Sequence, residues 1–413
     1  MNHFFTVRGA LYAEGVPLER LARTVGTPAY VYSSATLRRH LAVVQHAFAQ
    51  APTVLCYSVK ACSTLAVLKL LAKGGSGFDI VSGGELGRVL AAGGDPRTVV
   101  YSGVGKTEAE LVAALRAGIL MVNVESAAEL ELLDRVGRRL KRPAPFALRV
   151  NPDVDARTHR HIATGLRTSK FGVPFEEAAA LYARSRRMKG LRARGVDCHI
   201  GSQLTDARPV REAVSRVGGL FRELRAQGLP LTHLDVGGGL GVRYTVERPP
   251  SLDEYARAVR EPLRGLDATL VLEPGRVLVA NAGLLLTRVL YLKRTPARRF
   301  VIVDAGMNDL LRPALYDAHH DIQPVRPRRG KAALVDVVGP VCESSDVLGA
   351  QRRLPPLVAG DLLAVMTAGA YGMSMSSNYN SRPRAAEVLV DGTRARVVRR
   401  RERLEDLWRG ETP

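Results

Sequence analysis

The sequence is poor in cysteine and aromatic residues, and these scarcities exclude several classes of protein. Four cysteines are scattered through 413 residues without a CxxC pair, which argues against structural zinc and a disulfide framework. Aromatic residues make up only 5% of the chain, so its basic residues lack the stacking partners of a nucleic-acid surface. The longest apolar stretch, residues 277–292, is interrupted by polar side chains, and the N-terminus does not resemble a secretory leader. These absences predict a cytoplasmic protein that binds no membrane.

Arginine is the residue in excess, with 51 arginines against nine lysines and a formal net charge of +20. The arginines are spread along the whole chain rather than gathered on one element, which argues against a nucleic-acid partner. Hydrophobic residues form 46% of the chain, enough for a large core and for two or three domains. The absence of an HExxH or CxxC pattern predicts no metal site.

Short β-branched runs alternate with segments of helical periodicity through the middle of the chain. The predicted strands there are 53–60, 77–81, 98–102, 120–124, 145–151, 195–199, 232–236 and 269–273. Eight strands alternating with helices predict an α/β fold, a TIM-like (β/α)8 barrel over residues 33–280.

Beyond the predicted barrel, helical periodicity gives way to strand patterns joined by Gly/Pro-rich turns. The strands predicted outside the barrel are 10–12, 29–32, 284–293, 300–304, 332–338, 361–365, 386–390 and 394–399. We therefore predict a second, mostly β-strand domain, sandwich-like or barrel-like, built from both chain ends, residues 1–32 and 281–413.

Lys60 follows the first predicted strand, at the rim where barrels of this kind place their chemistry. Period-two alternation puts it on the same face as Cys56 and Ser58. An amine desolvated on that face would have a lowered pKa and would become nucleophilic, as Schiff-base chemistry requires. A lysine at the edge that reaches solvent is the alternative.

Four further strand ends carry polar or glycine-rich motifs. The candidate residues are Asp79, His199, Ser202, Gly237, Gly238, Gly239, Glu273, Gly275 and Arg276. A histidine can stack on a ring, serine and glycine amides can hold a phosphate, and a carboxylate can hold a protonated ring nitrogen. Each has an ordinary alternative, since His199 could be a core histidine and Glu273 could pair with Arg276. Together with a lysine they match the requirements of pyridoxal phosphate.

The segment Ser102–Thr107 ends like a phosphate-binding P-loop but lacks the first glycine of that motif. Thr107 is instead predicted to cap the helix that follows. Ser126, followed three residues later by Glu129, fits a capping box at the next helix.

These motifs, in this order and over nearly the whole chain, resemble the barrel-type (fold type III) pyridoxal-phosphate-dependent decarboxylases, and among them those that act on diaminopimelate. The matching segments are Tyr57–Ala61, Gly77–Glu85, Thr164–Gly165, Ser169–Gly172, His199–Ser202, Gly237–Gly239, Glu273–Arg276, Cys342–Asp346, Gly369–Gly372 and Tyr379–Pro383.

The resemblance implies a role for each matched position. Lys60 would bond covalently to pyridoxal phosphate, His199 would pack on its ring, and Glu273 would keep the pyridine nitrogen protonated. Asp79 also belongs to the cofactor site. The residues implied around the phosphate are Ser202, Gly237, Gly238, Gly239, Gly275, Arg276 and Tyr371. Those implied in substrate binding are Arg276, Arg312, Tyr316, Glu343 and Tyr371.

Cys342 is implied as the donor that returns a proton to the α-carbon. In such enzymes Cys342 and Glu343 reach into the neighbouring subunit's barrel, so a homodimer with active sites at the subunit interface is implied. The predicted reaction converts meso-2,6-diaminopimelate to L-lysine and CO2, the last step of lysine biosynthesis.

Three alternatives remain open. A sister decarboxylase for ornithine, arginine or carboxynorspermidine would need an acidic group for a distal cation and would not use Arg312. An alanine racemase would need a second base, and Cys342–Asp346 does not resemble its tyrosine loop. The presence of Lys60, Glu273 and Cys342 argues against a silent relative that only binds partners.

Overall fold

The computed structural model describes residues 2–155 and 169–412, which divide into two units. One unit comprises Met1–His40, Tyr244–Val246 and Leu278–Pro413, and the other comprises Leu41–Arg243 and Glu247–Val277. We call them the β unit and the barrel unit. Within the described residues, every helix is too short or too polar to cross a membrane.

In chain order the strands are β1 (Phe4–Val7), β2 (Ala10–Ala13), β3 (Val16–Pro17), β4 (Ala29–Ser33), β5 (Thr53–Ser58), β6 (Gly77–Ile80), β7 (Val99–Tyr101), β8 (Met121–Val124), β9 (Ala144–Asn151), β10 (Val173–Pro174), β11 (Leu191–Asp197), β12 (His233–Asp235), β13 (Thr269–Leu272), β14 (Gly283–Arg294), β15 (Arg299–Val303), β16 (Ile322–Pro324), β17 (Ala333–Val338), β18 (Val347–Leu354), β19 (Leu362–Val365), β20 (Ala386–Asp391) and β21 (Arg394–Arg399). The helices are α1 (Leu18–Val25), α2 (Ser34–Ala47), α3 (Leu65–Lys73), α4 (Gly83–Ala91), α5 (Glu108–Ala117), α6 (Ala127–Arg139), α7 (Phe175–Ser185), α8 (Arg208–Ala226), α9 (Leu252–Arg260), α10 (Arg276–Val279) and α11 (Arg312–Tyr316).

The barrel unit is a closed ring of eight parallel strands. The order is β5-β6-β7-β8-β9-β11-β12-β13, and β13 pairs back to β5 to close the ring. Each predicted barrel strand overlaps an observed one, so the predicted fold is confirmed. Apolar side chains such as Cys56, Val100, Met121, Ala147 and Val271 fill a core cluster from several strands. All eight strands therefore present their C-terminal ends at one rim, where the polar residues of the motifs gather.

Side chains cap the starts of α4, α5, α6 and α9 in the barrel unit, and two of these caps were predicted. Thr107 and Glu110 form a reciprocal capping box at α5, as the sequence predicts. Ser126 caps α6 by accepting from the amide of Glu129, but the predicted reciprocal bond is wrong. The carboxylate of Glu129 instead pairs with the buried amine of Lys106 at 2.6 Å. That ion pair also accounts for the lysine of the P-loop-like segment.

The β unit joins the two chain ends through one strand. β4, near the N-terminus, lies between β14 and β20, antiparallel to the first and parallel to the second. Leu11, Val31, Leu284 and Val388 belong to its shared core cluster. The predicted strands are present, while strands β1, β3, β16 and β18 and helices α1 and α11 were not predicted. β18 was missed because its sequence, VLGAQRRL, has a single β-branched residue and three consecutive polar residues, so it does not show a strand pattern.

Candidate active site

The amine of Lys60 lies at the C-terminal rim of the barrel unit. β5 ends at Ser58, and Lys60 lies in the single 3-10 turn Val59–Ala61 that follows. Its Nζ donates to Asp79 Oδ2 at 2.7 Å, and 40% of the lysine side chain is exposed. The prediction that Lys60 is desolvated on a strand face is therefore wrong, although its position at the rim is as predicted. The turn carries the amine off the strand face, and a buried carboxylate compensates its charge.

Asp79 of β6 is fully buried, and Ser58 at the end of β5 lies between it and Glu273. The Ser58 hydroxyl lies 2.9 Å from Asp79 Oδ2 and 3.0 Å from the main-chain oxygen of Glu273. Ser58 and Asp79 are also direct partners in the β5–β6 register. This arrangement fixes the carboxylate that holds Lys60, because Asp79 Oδ2 is constrained from both sides.

Glu273 follows β13 and is buried at the same rim. Its Oε1 accepts from the Ser102 hydroxyl at 3.3 Å and from Asn123 Nδ2 at 3.4 Å. Burial raises the pKa of Glu273 to about 7, and repulsion from Asp79 acts in the same direction. A carboxyl group with a pKa near neutrality can exchange a proton with a ring nitrogen at physiological pH.

Two further acids, Asp197 and Asp235, lie beside Glu273 and were not predicted. Carboxylate oxygens of all three lie within 4.8 Å of one another. Burial, followed by repulsion from Glu273, raises the pKa of both aspartates well above the usual range. Asp235 Oδ1 accepts from the amide of Gly237 at 3.0 Å, and its Oδ2 accepts from Asn123 at 3.1 Å. The close approach suits either a cation or shared protons, because three neighbouring carboxylates cannot all ionise cheaply.

His199 presents a neutral ring at the rim. Its Nδ1 accepts a hydrogen bond from the amide of Gly238 at 3.2 Å. Burial lowers the pKa of His199 well below its usual value, and the positive charges of Arg149 and Lys60 lower it further. The imidazole is therefore uncharged at neutral pH and can stack on an aromatic ring without bringing a second positive charge.

The three consecutive glycines after β12 adopt a backbone conformation that residues with a side chain would not tolerate. Gly237 and Gly239 have φ of +66° and +103°, in the left-handed region. A Cβ at Gly238 would lie 2.1 Å from the main-chain oxygen of Glu273. The backbone therefore approaches the neighbouring strand end closely and bends with its amides uncovered by side chains, as an anion cradle requires.

Arg276 begins α10 and is buried, with its Nη2 donating to the Ser202 hydroxyl at 3.1 Å. The predicted neighbours Ser202 and Arg276 are thus in contact across the rim. A guanidinium and a hydroxyl held together suit a phosphate group. A Cβ at Gly275 would lie 3.0 Å from Cβ of Ser58, so the chain is also tight there.

The barrel unit thus brings together a majority of the predicted residues. They are Lys60, Asp79, His199, Ser202, Gly237, Gly238, Gly239, Glu273, Gly275 and Arg276. A lysine amine, a carboxyl group with a pKa near 7, a neutral imidazole and a glycine cradle beside an arginine form the donor set that pyridoxal phosphate needs. The residues present therefore fit this cofactor.

The remaining predicted residues belong to the β unit. Arg312 and Tyr316 begin and end α11, and Arg312 is buried. Tyr371 has φ of +57°, an uncommon conformation for a residue with a side chain. Thr164 and Gly165, part of the sequence motifs, lie outside the described residues.

Cys342 and Glu343 lie side by side on an exposed loop between β17 and β18. The amide of Cys342 donates to Asn380 Oδ1 at 2.8 Å, and Glu343 Oε2 accepts from the Tyr379 hydroxyl at 3.2 Å. The loop is therefore anchored to the segment around residue 380, while the thiol and carboxylate remain at the surface of the chain.

Several polar residues that build the site were missed. They are Ser102, Asn123, Glu125, Arg149, Asp197 and Asp235. The sequence did contain a signal for the barrel residues, because most of them lie inside or next to predicted strands. The interior face of such a strand is expected to be apolar, so a polar residue there is unusual. A polar side chain near the end of such a strand points to the rim.

Comparison with known proteins agrees with this geometry. Residues 34–280 match the family described as pyridoxal-dependent decarboxylase, pyridoxal binding domain. A diaminopimelate decarboxylase of Pseudomonas aeruginosa is 56% identical over 409 residues, covering 99% of this chain and 98% of the relative. A crystal structure of diaminopimelate decarboxylase from Helicobacter pylori with L-lysine superposes with a TM-score of 0.92 at 44% identity, covering 95% and 98% of the two chains. The crystal structure of diaminopimelate decarboxylase from M. jannaschii in co-complex with L-lysine superposes with a TM-score of 0.95 at 36% identity, covering 100% of this chain and 99% of that chain.

The chain belongs to the pyridoxal-dependent decarboxylases, the class that the barrel and its rim define, and within that class to the diaminopimelate decarboxylases. The predicted family, fold, class of enzyme and cofactor are thereby confirmed.

Proposed function

We propose that the chain decarboxylates meso-2,6-diaminopimelate to L-lysine and CO2 through the residues gathered at the barrel rim. The observation that carries this assignment is the placement of the Lys60 amine, 2.7 Å from Asp79, at the same rim as buried Glu273. Pyridoxal phosphate, when bound, supplies an acceptor for the electron pair that departing CO2 leaves behind.

The barrel residues hold the cofactor in this proposal. Lys60 Nζ would be its covalent attachment point, and Asp79 keeps that amine at the rim. His199 would offer the ring a neutral imidazole, and Glu273 would hold a proton at the pyridine nitrogen. Ser202, Arg276 and the amides of Gly237–Gly239 would bind the phosphate, and Gly275 would leave room for it. The family match to residues 34–280 supports a cofactor-binding domain over 33–280, with 1–32 and 281–413 forming the other domain.

The β-unit residues select the substrate and return the proton. Arg312 and Arg276 offer fork-shaped donors for the carboxylate at the far end of diaminopimelate, a group that ornithine and arginine lack at that end. Tyr316 and Tyr371 complete the binding surface, and Glu343 recognises the distal amino group. Cys342 Sγ delivers a proton to the α-carbon after CO2 leaves.

The exposed loop of Cys342 and Glu343 supports a homodimer in which each chain completes its partner's site. A cytoplasmic location is part of the proposal, and the four free cysteines fit a reducing compartment. Cell fractionation tests the location, since recovery of the protein outside the cytoplasmic fraction would contradict it.

Mixing two inactive variants tests the residue roles and the shared site together. Lys60→Ala and Cys342→Ala should each lose steady-state conversion of diaminopimelate to L-lysine, while Lys69→Ala on the exposed face of α3 should not. After subunit exchange at equal amounts, about a quarter of wild-type activity should return, since half of the dimers are mixed and hold one intact site. No recovery, despite mixed dimers seen by mass spectrometry, would contradict a shared site. Full activity of Lys60→Ala would contradict the assignment of the amine.

A further inference from the structure

Arg312 in the β unit is held between His320 and Tyr244. Its Nη1 lies 2.9 Å from His320 Nε2, and its guanidinium carbon lies 4.7 Å from the centre of the Tyr244 ring. The Tyr244 and His320 rings meet edge to face, 5.5 Å apart at 75°. His320 is completely buried and Arg312 is 6% exposed, so the three side chains form one packed group.

The hydrogen bonds of His320 fix its protonation state. Nδ1 lies 2.9 Å from the carbonyl oxygen of Met366, which can only accept, so Nδ1 carries the hydrogen. Nε2 faces an arginine nitrogen, which can only donate, so Nε2 must be the unprotonated acceptor. Both contacts require the same neutral tautomer. A charged imidazolium would lose the bond to Arg312 and place a second positive charge beside it.

Both groups hold Arg312 without neutralising it. An imidazole lone pair and the face of a tyrosine ring attract a guanidinium but carry no net charge. The contacts of Arg312 with His320 and Tyr244 fix the position of its guanidinium, and neither contact cancels its positive charge.

We propose that His320 and Tyr244 are positioning residues that orient the Arg312 guanidinium for the carboxylate at the far end of the substrate. This inference rests on the proposed role of Arg312 and adds the two side chains that set the orientation of its guanidinium. Neither residue needs to touch substrate. They act through the arginine, so they control recognition of the distal carboxylate and not the chemistry at the α-carbon.

Two substitutions at His320 separate the bond to Arg312 from the bond to Met366. In His320→Gln the longer side chain can place an oxygen where Nε2 stands, whereas in His320→Asn the shorter one reaches only the Nδ1 position. Loss of one charge-assisted hydrogen bond predicts a roughly tenfold higher KM for diaminopimelate in His320→Asn, with kcat within about threefold of wild type. His320→Gln should recover most of that loss. Tyr244→Leu should also raise KM selectively, and His46→Leu on the exposed face of α2 is the control.

Binding of L-lysine to the holoenzyme gives a readout that needs no turnover. L-lysine retains the distal carboxylate, whereas 1,5-diaminopentane has the same chain without it. Calorimetry should show weaker L-lysine binding in His320→Asn and Tyr244→Leu, with little change for the diamine. The preference for L-lysine over the diamine should therefore shrink by roughly the KM factor.

An Arg312→Leu variant distinguishes failure of the positioning role of His320 and Tyr244 from failure of the role of Arg312 itself. If Arg312→Leu weakens L-lysine binding but His320→Asn and Tyr244→Leu do not, the positioning role is wrong and the proposed function stands. If Arg312→Leu leaves L-lysine binding unchanged, the arginine assignment fails and the positioning proposal fails with it. Equal losses for L-lysine and the diamine, accompanied by lower melting temperatures, would show a purely structural role and overturn the inference.

Discussion

Replacing Glu273 by glutamine should make the cofactor-free protein more stable at alkaline pH while abolishing CO2 release. Burial raises the pKa of this carboxyl from 4.5 to about 7, mainly by desolvation and by repulsion from Asp79. Between those two pH values the unfolded chain has released this proton and the folded chain still holds it. Stability therefore falls as the pH rises through that window, and the loss is complete above pH 7.

The size of the effect follows from the shift. A rise from 4.5 to about 7 corresponds to a cost of up to about 3 kcal/mol above pH 7. Glutamine has the same shape as glutamic acid but cannot ionise. Glu273→Gln should therefore recover much of the lost free energy of unfolding at pH 8 and almost none near pH 4.5. Ser102 and Asn123 can still donate to the amide oxygen, since both contact the same Oε1 position.

Urea unfolding of the cofactor-free proteins at the two pH values measures this difference. Glu212→Gln, on the exposed face of α8, is the matched control and should change stability by less than about 0.5 kcal/mol. A Glu273→Gln protein less stable than wild type at pH 8 would contradict a raised pKa of Glu273, because it would show that the folded state favours the ionised carboxylate. The same variant should lose CO2 release, since an amide does not hold a proton on a ring nitrogen.

Two further predictions concern the buried Lys106–Glu129 ion pair and the close backbone approach at Gly238. Lys106→Met should lower the free energy of unfolding by about 3–5 kcal/mol, because it leaves Glu129 as a buried charge without its cation. Lys69→Met, on an exposed helix face, should change it by less than about 0.5 kcal/mol, and a smaller loss at Lys106 would contradict the ion-pair argument. Gly238→Ala should weaken pyridoxal phosphate binding more than about tenfold, because its Cβ would lie 2.1 Å from a main-chain oxygen. Gly219→Ala, where a Cβ meets nothing within 4 Å, should bind normally, and equal affinities in a spectroscopic titration would contradict the close-approach argument.

The barrel could be predicted because its strands carry strong local patterns. Thr53–Ser58 and Met121–Val124 are short apolar runs between helical segments, and closure of eight such units follows from general rules of connection. β18 could not be predicted in this way, since an edge strand with one exposed face does not need apolar residues.

The candidate site shows where sequence reasoning stops. Lys60 and Glu273 could be identified because strand ends mark the rim, but the Lys60–Asp79 pair depends on a turn that alternation does not describe. Tyr244 reaches Arg312 and His320 from a distant part of the chain, and the tautomer of His320 follows only from its contacts. Such relations are set by tertiary packing, which periodicity does not encode.

The arginine excess stays largely outside the site. Arg276 and Arg312 are proposed to bind a phosphate and a carboxylate, whereas most others lie at the surface. Several of these form exposed pairs, such as Arg38 with Asp391 and Arg97 with Asp95, which contribute little to stability.

The central claim is tested most directly by measuring CO2 released from a panel of amino acids by the pyridoxal-phosphate-loaded protein. The panel contains meso-diaminopimelate, L-ornithine, L-arginine, L-lysine and carboxynorspermidine. We predict rapid release from meso-diaminopimelate, with L-lysine as the product, and at least ~100-fold lower kcat/KM for the others. Each of the others has a single carboxylate, so none can hold one carboxylate at Arg312 while losing another as CO2. Faster release from any of the other four, or none from meso-diaminopimelate, would contradict the account.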